Sequence, residues 1–95
     1  MEHWPFAQPP DEAAITLRQI LDGKKPILLV ARDPEDGSWS FLTGEDFRAG
    51  DGKVVSLRTA LSLDPTLAEV ADLPIGWYAY RQQVGAAWER APEEE

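Results

Sequence analysis

The chain has no cysteine, and among its 95 residues there is a single histidine, His3. The first absence excludes disulfides and thiolate metal sites, and makes the cytoplasm the natural expectation. The second removes histidine-based metal ligation. It also leaves Ser38, Ser40, Ser56 and Ser62 with no base except a histidine near the chain end, so nucleophilic catalysis finds no constellation. No spacing of Asp or Glu with Arg81 argues for a proton-transfer enzyme either. Long apolar runs are missing as well. The longest, Ile27-Leu28-Leu29-Val30-Ala31, is far too short to span a bilayer, and Met1-Glu2-His3-Trp4-Pro5 lacks the basic and apolar regions of a signal peptide. No membrane association is expected.

Basic residues are few: 9 Lys and Arg stand against 17 Asp and Glu, for a net charge of −8. Phosphate backbones draw their protein partners chiefly through Lys and Arg, so nucleic acid is not an expected partner. A basic protein partner fits the charge, and the field would speed the encounter; plain solubility accounts for it as well. Phosphate-loop chemistry is missing too. Gly50-Asp51-Gly52-Lys53 is followed by Val54 rather than Ser or Thr, and no glycine stands at the required upstream position. Carboxylates gather at Asp33-Glu35-Asp36 and at Glu45-Asp46-Asp51, on either side of an expected strand. Six strand residues span about 20 Å, too far for the two groups to close on one ion or one glycosidic bond. No catalytic residue, cofactor or metal is assigned, and a non-enzymatic protein is expected.

What the chain does have is aromatic surface. Four Trp, three Phe and two Tyr can each bury roughly 150–250 Å², which matters in a single domain of this size, whose core is small. Half of the Trp and both Tyr fall in or just after Leu73-Pro74-Ile75-Gly76-Trp77-Tyr78-Ala79-Tyr80-Arg81. The segment alternates like a strand, with Trp77, Ala79 and Arg81 on one side and Tyr78 and Tyr80 on the other. Both aromatic rows cannot face one core. Either one row is partly exposed as an interface, or the N-terminal arm and the Trp88 segment cover it. Tyr, Trp and Arg are frequent interface anchors, so Trp77, Tyr78, Tyr80, Arg81, Trp88 and Arg90 form the candidate interaction surface. Arg81 and Arg90 have a structural alternative, pairing with carboxylates or stacking on Trp88.

The remaining elements follow from pattern. Residues 1–10 carry three prolines and are expected as an extended arm that docks through Trp4 and Phe6. Asp11-Glu12 opens an expected helix whose apolar face is Ala14, Leu17, Ile20 and Leu21, ended by Gly23. Residues 26–33 and 38–43 form an antiparallel hairpin across the turn Pro34-Glu35-Asp36-Gly37, the first strand being central because its apolar run is continuous. Residues 44–53 are a loop. Residues 54–57 are a short edge strand or lead directly into a helix carrying Leu57, Ala60, Leu61 and Leu63. Asp64-Pro65 is an N-cap with proline at the first helical position. Residues 84–90 are a further strand or a packed loop, and residues 91–95 are an acidic tail. The sum is an α+β domain over residues 11–90, with a small antiparallel sheet of three to four strands and two or three helices packed on one face.

Several of these segments together resemble a known family. They are Ile20-Leu21-Asp22-Gly23, Pro26-Ile27-Leu28-Leu29-Val30, Asp36-Gly37-Ser38-Trp39-Ser40-Phe41-Leu42, Asp64-Pro65-Thr66-Leu67, Asp72 to Arg81 and Trp88-Glu89-Arg90. Their order over roughly residues 13–90 resembles the bacterial domain-of-unknown-function family 2185, which overlaps the immunity-protein-33-like group of polymorphic toxin systems. The Gly-Trp-x-Ala-x-Arg segment and the later Trp-Glu-Arg carry most of the likeness. It implies an α+β domain and, for some members, neutralisation of a bacterial toxin by binding; it implies no catalytic residues. The expected function is a non-enzymatic protein-binding module, with an immunity-type inhibitor as its narrower form. The alternatives are a small homo-oligomeric structural or regulatory protein, for which a two-fold dimer could bury the exposed aromatic row, and a small-ligand-binding protein using Trp and Arg side chains.

Overall fold

The computed structural model describes residues 4–93, so His3 and the last two glutamates lie outside the described residues. The chain runs β1 (Ala13–Leu17), α1 (Arg18–Leu21), β2 (Leu29–Arg32), β3 (Trp39–Leu42), a 3₁₀ turn (Ala49–Asp51), β4 (Gly52–Ser56), α2 (Leu57–Leu63), a 3₁₀ segment (Pro65–Val70), β5 (Trp77–Tyr80) and β6 (Glu89–Pro92). The architecture is α+β. The sheet is larger than expected and is not wholly antiparallel: six strands lie in the order β4-β1-β3-β2-β5-β6, and β1 pairs with β3 in parallel.

The extra strands have identifiable origins. The expected helix from Asp11 is instead β1 followed by one helical turn. Ala14 and Thr16 are buried while Ala13 and Ile15 are exposed, which is period two, and Leu17, Ile20 and Leu21 supplied the misleading helical spacing. With β3 on one side and β4 on the other, β1 satisfies its backbone through two ladders rather than within a helix. β6 takes in Ala91 and Pro92, which the sequence reading assigned to the tail, and pairs Trp77 with Pro92 and Tyr80 with Glu89. Proline is tolerated there because β6 is an edge strand.

The β2–β3 hairpin is antiparallel, as the turn between its strands suggests, with Val30 opposite Phe41. β2 lies inside the sheet between β3 and β5, and β4 is an edge. At α2, the Ser56 hydroxyl accepts from the Thr59 N–H; at the 3₁₀ segment, Asp64 accepts from the Thr66 N–H with Pro65 in the first position.

One core holds the fold together. Val30, Trp39, Phe41 and Ala79 from the sheet are almost wholly buried with Leu57 and Ala60 of α2 and with Leu67 and Val70 of the 3₁₀ segment. The arm belongs to this core. Phe6 is buried edge-on against Trp39, with centroids 5.1 Å apart, and Trp39 donates its indole N–H to the Gln8 side-chain oxygen at 3.2 Å. The Arg32 guanidinium lies 4.7 Å over the Trp39 ring and donates to the carbonyls of Gly37 and Leu73.

Candidate functional site

Residues opposite one another in a ladder share a face of the sheet. On one face the register joins Ala14, Val55, Trp39, Arg32, Phe41, Val30 and Ala79, and Trp77 follows by alternation. This is the face covered by α2, the 3₁₀ segment and Phe6. On the other face it joins Val54, Ile15, Ser40, Ala31 and Tyr78 in one row, with Leu42, Leu29 and Tyr80 in the next. None of these eight residues is fully buried, but Leu42 packs against the core, and Leu17, which follows Ile15 by alternation on this face, is wholly buried, so the face is open around Val54, Ile15, Ser40, Ala31 and Tyr78 and closed where β1 enters α1. Val54 is 70% exposed, and Ile15 and Tyr80 are each 39% exposed.

This face departs from the usual one-sided sheet. An antiparallel sheet with one solvated side normally alternates apolar inward with polar outward. Here the outward positions of β4, β1, β3, β2 and β5 on these rows are aliphatic, aromatic or hydroxyl, without one charge. In a chain that is 27% charged, the first charge met is Glu89, opposite Tyr80 on the edge strand β6. Depletion of charge with enrichment of tyrosine is the compositional mark of an interface centre.

Tyr78 and Tyr80 are the aromatic part of this face. Their rings lie 6.0 Å apart and tilted by 30°. The Tyr80 hydroxyl donates to the Glu89 carboxylate at 3.4 Å. The adjacent negative charge of Glu89, with a smaller contribution from desolvation, pushes the Tyr80 phenol pKa above its ordinary value, so the face stays neutral.

The other expected surface residues sit elsewhere. Arg81 is buried: its guanidinium donates twice to the Ile27 carbonyl, to the Thr66 hydroxyl at 3.0 Å and to the Asp64 carboxylate, beneath the Trp88 ring at 4.2 Å. Arg81 and Trp88 thus lock β5, the β6 approach, the β2 approach and the 3₁₀ segment together, and a docking partner cannot reach the cation. Arg90 projects toward the covered side and donates to the Glu69 carbonyl and to Asp72, both at 2.7 Å. Trp77 is half-buried against the core. Of the candidate surface, the structure leaves Tyr78 and Tyr80 on the outer face and adds Ile15, Leu29, Ala31 and Val54. Reading β1 as a helix hid Ile15. Its outward partner Val54 is visible in the sequence only as an apolar residue beside Lys53.

A second apolar feature is an open cleft of about 450 Å³ among Ile20, Leu21, Pro26, Ile27, Leu63 and Val84, rimmed by Lys24 and Lys25. Its one carboxylate, Asp64, is engaged by Arg81. Trp77, Arg81 and Trp88, the side chains considered for holding a small ligand, do not line this cleft. Among the described residues no three of His, Cys, Asp and Glu are grouped to hold a metal ion, and no helix is long and apolar enough to cross a membrane. Comparison with known proteins adds no identity: no family model, no curated protein and no solved structure matches the chain.

Proposed function

We propose that this protein is a non-enzymatic protein-binding domain that docks its partner on the uncovered face of the sheet. The observation that carries the proposal is the row Val54, Ile15, Ser40, Ala31 and Tyr78, uncharged and uncovered across five adjacent strands of a chain with net charge −8. Water contact with such a row costs free energy that a partner recovers on docking. The acidic remainder of the surface favours a basic partner and hastens its arrival. The non-enzymatic part rests on the lone His3 and the absence of cysteine.

The narrower reading, an immunity-type inhibitor acting in the bacterial cytoplasm, is supported by the resemblance carried by Gly76-Trp77-Tyr78-Ala79-Tyr80-Arg81 and Trp88-Glu89-Arg90. The structure assigns those residues different kinds of work: Arg81 and Trp88 hold the fold, and Tyr78 and Tyr80 face outward. The test compares the tagged protein with Ile15→Lys and Tyr78→Lys variants in capture from native lysate. A protein held one-to-one by the parent, and lost by both variants while their thermal unfolding is unchanged, is the expected result. Equal retention by both variants overturns the docking face.

A further inference from the structure

We propose that the open edge of β4 takes up an extended acidic peptide as a seventh strand of the sheet. This rim shares only Val54 with the docking face, and works through backbone groups and Lys53 rather than through Ile15, Ala31 and Tyr78. The register shows which backbone groups it offers. β4 runs antiparallel to β1 with Val55 opposite Ala14 and Val54 opposite Ile15, and one step beyond the ladder the Leu57 N–H donates to the Glu12 carbonyl at 2.9 Å. In such a ladder, pairs that exchange backbone hydrogen bonds alternate with pairs that do not. Lys53, Val55 and Leu57 thus turn their backbone groups toward β1. The Val54 N–H and C=O, the Gly52 C=O and the Ser56 N–H point the other way, where no strand of the described residues lies. An added strand pairs with those groups, which is how peptides are captured at a sheet edge.

The two edges of the sheet differ. β6 ends in Pro92, which has no N–H, and Glu89 and Glu93 set negative charge beside it. Proline and charge are common means of keeping an edge unpaired. β4 contains no proline, and all 5 of its residues are exposed or half-buried. Its single charge is Lys53. In a junction of β4 with the β4 of a second copy, centred on Val54, the two Lys53 side chains fall on one face about 7–8 Å apart and repel. A carboxylate in the same place is attracted.

Charge and side-chain direction name the occupant. From Gly52 to Leu63 the only charged residues are the cations Lys53 and Arg58, in a chain whose net charge is −8. Asp51, immediately before the strand, is buried and accepts from Arg18 and Gln19. Glu12 lies across from Leu57 at the far end, so Lys53 is the cation that selects. Among the described residues Lys53 enters no ion pair. Val54 faces outward beside Ile15, while Lys53 and Val55 point to the helix side of the sheet. A peptide alternating valine and glutamate meets both faces. Its valine packs against Val54, and its glutamate stands directly across from Lys53, where opposite charges on neighbouring strands attract. The contact is small and belongs with weak, exchanging interactions.

Fluorescence anisotropy of a labelled valine–glutamate heptapeptide, valine at both ends, titrated with the full chain tests the site. Binding is expected, and Val54→Pro weakens it about tenfold by removing an outward N–H that β1 does not use. Lys53→Glu weakens it severalfold, and Tyr78→Lys leaves it unchanged. N-methylation of the peptide gives a readout that needs no variant to fold. The valine N–H groups face β4 and the glutamate N–H groups face away, so methylating the valines abolishes binding and methylating the glutamates preserves it. No binding up to millimolar chain overturns the inference. Binding that survives valine methylation, or that a valine–lysine peptide matches, is not strand addition selected by charge and also overturns it. Loss of binding in Tyr78→Lys moves the peptide to the docking face, and self-association abolished by Val54→Pro makes a second copy the occupant; either result overturns the assignment.

Discussion

Asp64→Ala and Asp72→Ala remove the same kind of group from the same kind of pair, an aspartate facing an arginine, and differ severalfold in expected cost. The Arg81 side chain is 1% exposed and its partner Asp64 15%, whereas Arg90 and Asp72 are 33% and 81% exposed. Removing one partner of a buried pair strands the other charge in a low-dielectric interior, at a cost of about 3–5 kcal/mol. The Ile27 carbonyl, the Thr66 hydroxyl and the Trp88 ring remain to Arg81, which puts Asp64→Ala near 3 kcal/mol, the lower end of that range. Asp72→Ala loses an exposed pair that water already solvates, under about 1 kcal/mol. Urea unfolding of the two variants checks the contrast; equal midpoints would show that Arg81 is solvated.

A second single-residue prediction concerns pH. Asp51 accepts from the Arg48 backbone N–H at 3.2 Å, from Arg18 at 3.1 Å and from the Gln19 amide at 3.2 Å. These bonds, the backbone one first, hold its carboxyl below the usual carboxylate range, and partial desolvation opposes them. A carboxyl whose pKa is lower folded than unfolded stabilises the fold above the unfolded value, about 3.9. That contribution disappears as pH falls through the depressed folded value. Asp51→Asn is therefore less stable than the parent at neutral pH, and loses less of its remaining stability between pH 5 and pH 2. Asp36, held low by the Ser38 hydroxyl, and Asp72, held low by Arg90, keep some acid sensitivity in both proteins. Parallel unfolding curves at each pH would refute the assignment.

The hairpin shows at the scale of elements why a turn residue is chosen. Gly37 has φ +74°, and a Cβ there would lie 2.9 Å from the Arg32 guanidinium and 3.1 Å from Ile75. Gly44 has φ +83° with open space around it. Both alanine substitutions meet the left-handed strain of about 1 kcal/mol. Gly37→Ala must also displace the guanidinium that ties β2 to the Gly37 and Leu73 carbonyls and covers Trp39. Gly37→Ala should cost roughly twice as much as Gly44→Ala in chemical unfolding. The same hairpin was legible in the sequence because its signals are local: a turn ending in glycine between a continuous apolar run and an alternating one. α2, the Asp64-Pro65 start and β5 were legible for the same reason. β1 was not, because five residues of period two run straight into a helical turn and only the distant β3 and β4 decide between the two periods. β6 was hidden likewise, since its pairing with β5 outweighs a proline that reads as a stop. The open face inherited both errors. Its tyrosines could be read, but its aliphatic half depends on where β1 and β4 lie; Arg81, read either as an anchor or as a structural cation, takes the second role, stacked on Trp88 and paired with Asp64, with a further contact as distant in sequence as Ile27.

For the molecule as a whole, the sheet divides the chain into one face that holds most of the core and one that joins it only through Leu17 and Leu42. Phe41 is fully buried between the sheet and the helices, stacked at 5.9 Å on Trp39. Phe41→Ala leaves a cavity that the surrounding helices cannot close, at about 3–5 kcal/mol, a large share of the 5–15 kcal/mol typical of a whole domain. Ile15, on a neighbouring strand but facing the other way, is already 39% exposed. Replacing it with lysine loses some cross-strand contact and gains a solvated charge, for under about 1 kcal/mol. The pair is thus expected to separate cleanly: Phe41→Ala near or past the limit of folding, Ile15→Lys folded and more soluble. Equilibrium unfolding in urea measures both. If Ile15→Lys cost as much as Phe41→Ala, both faces of the sheet would be structural, and the uncovered row could no longer support a docking role. If it costs little, stability does not account for the neutral apolar residue at this exposed position, and a docking role does.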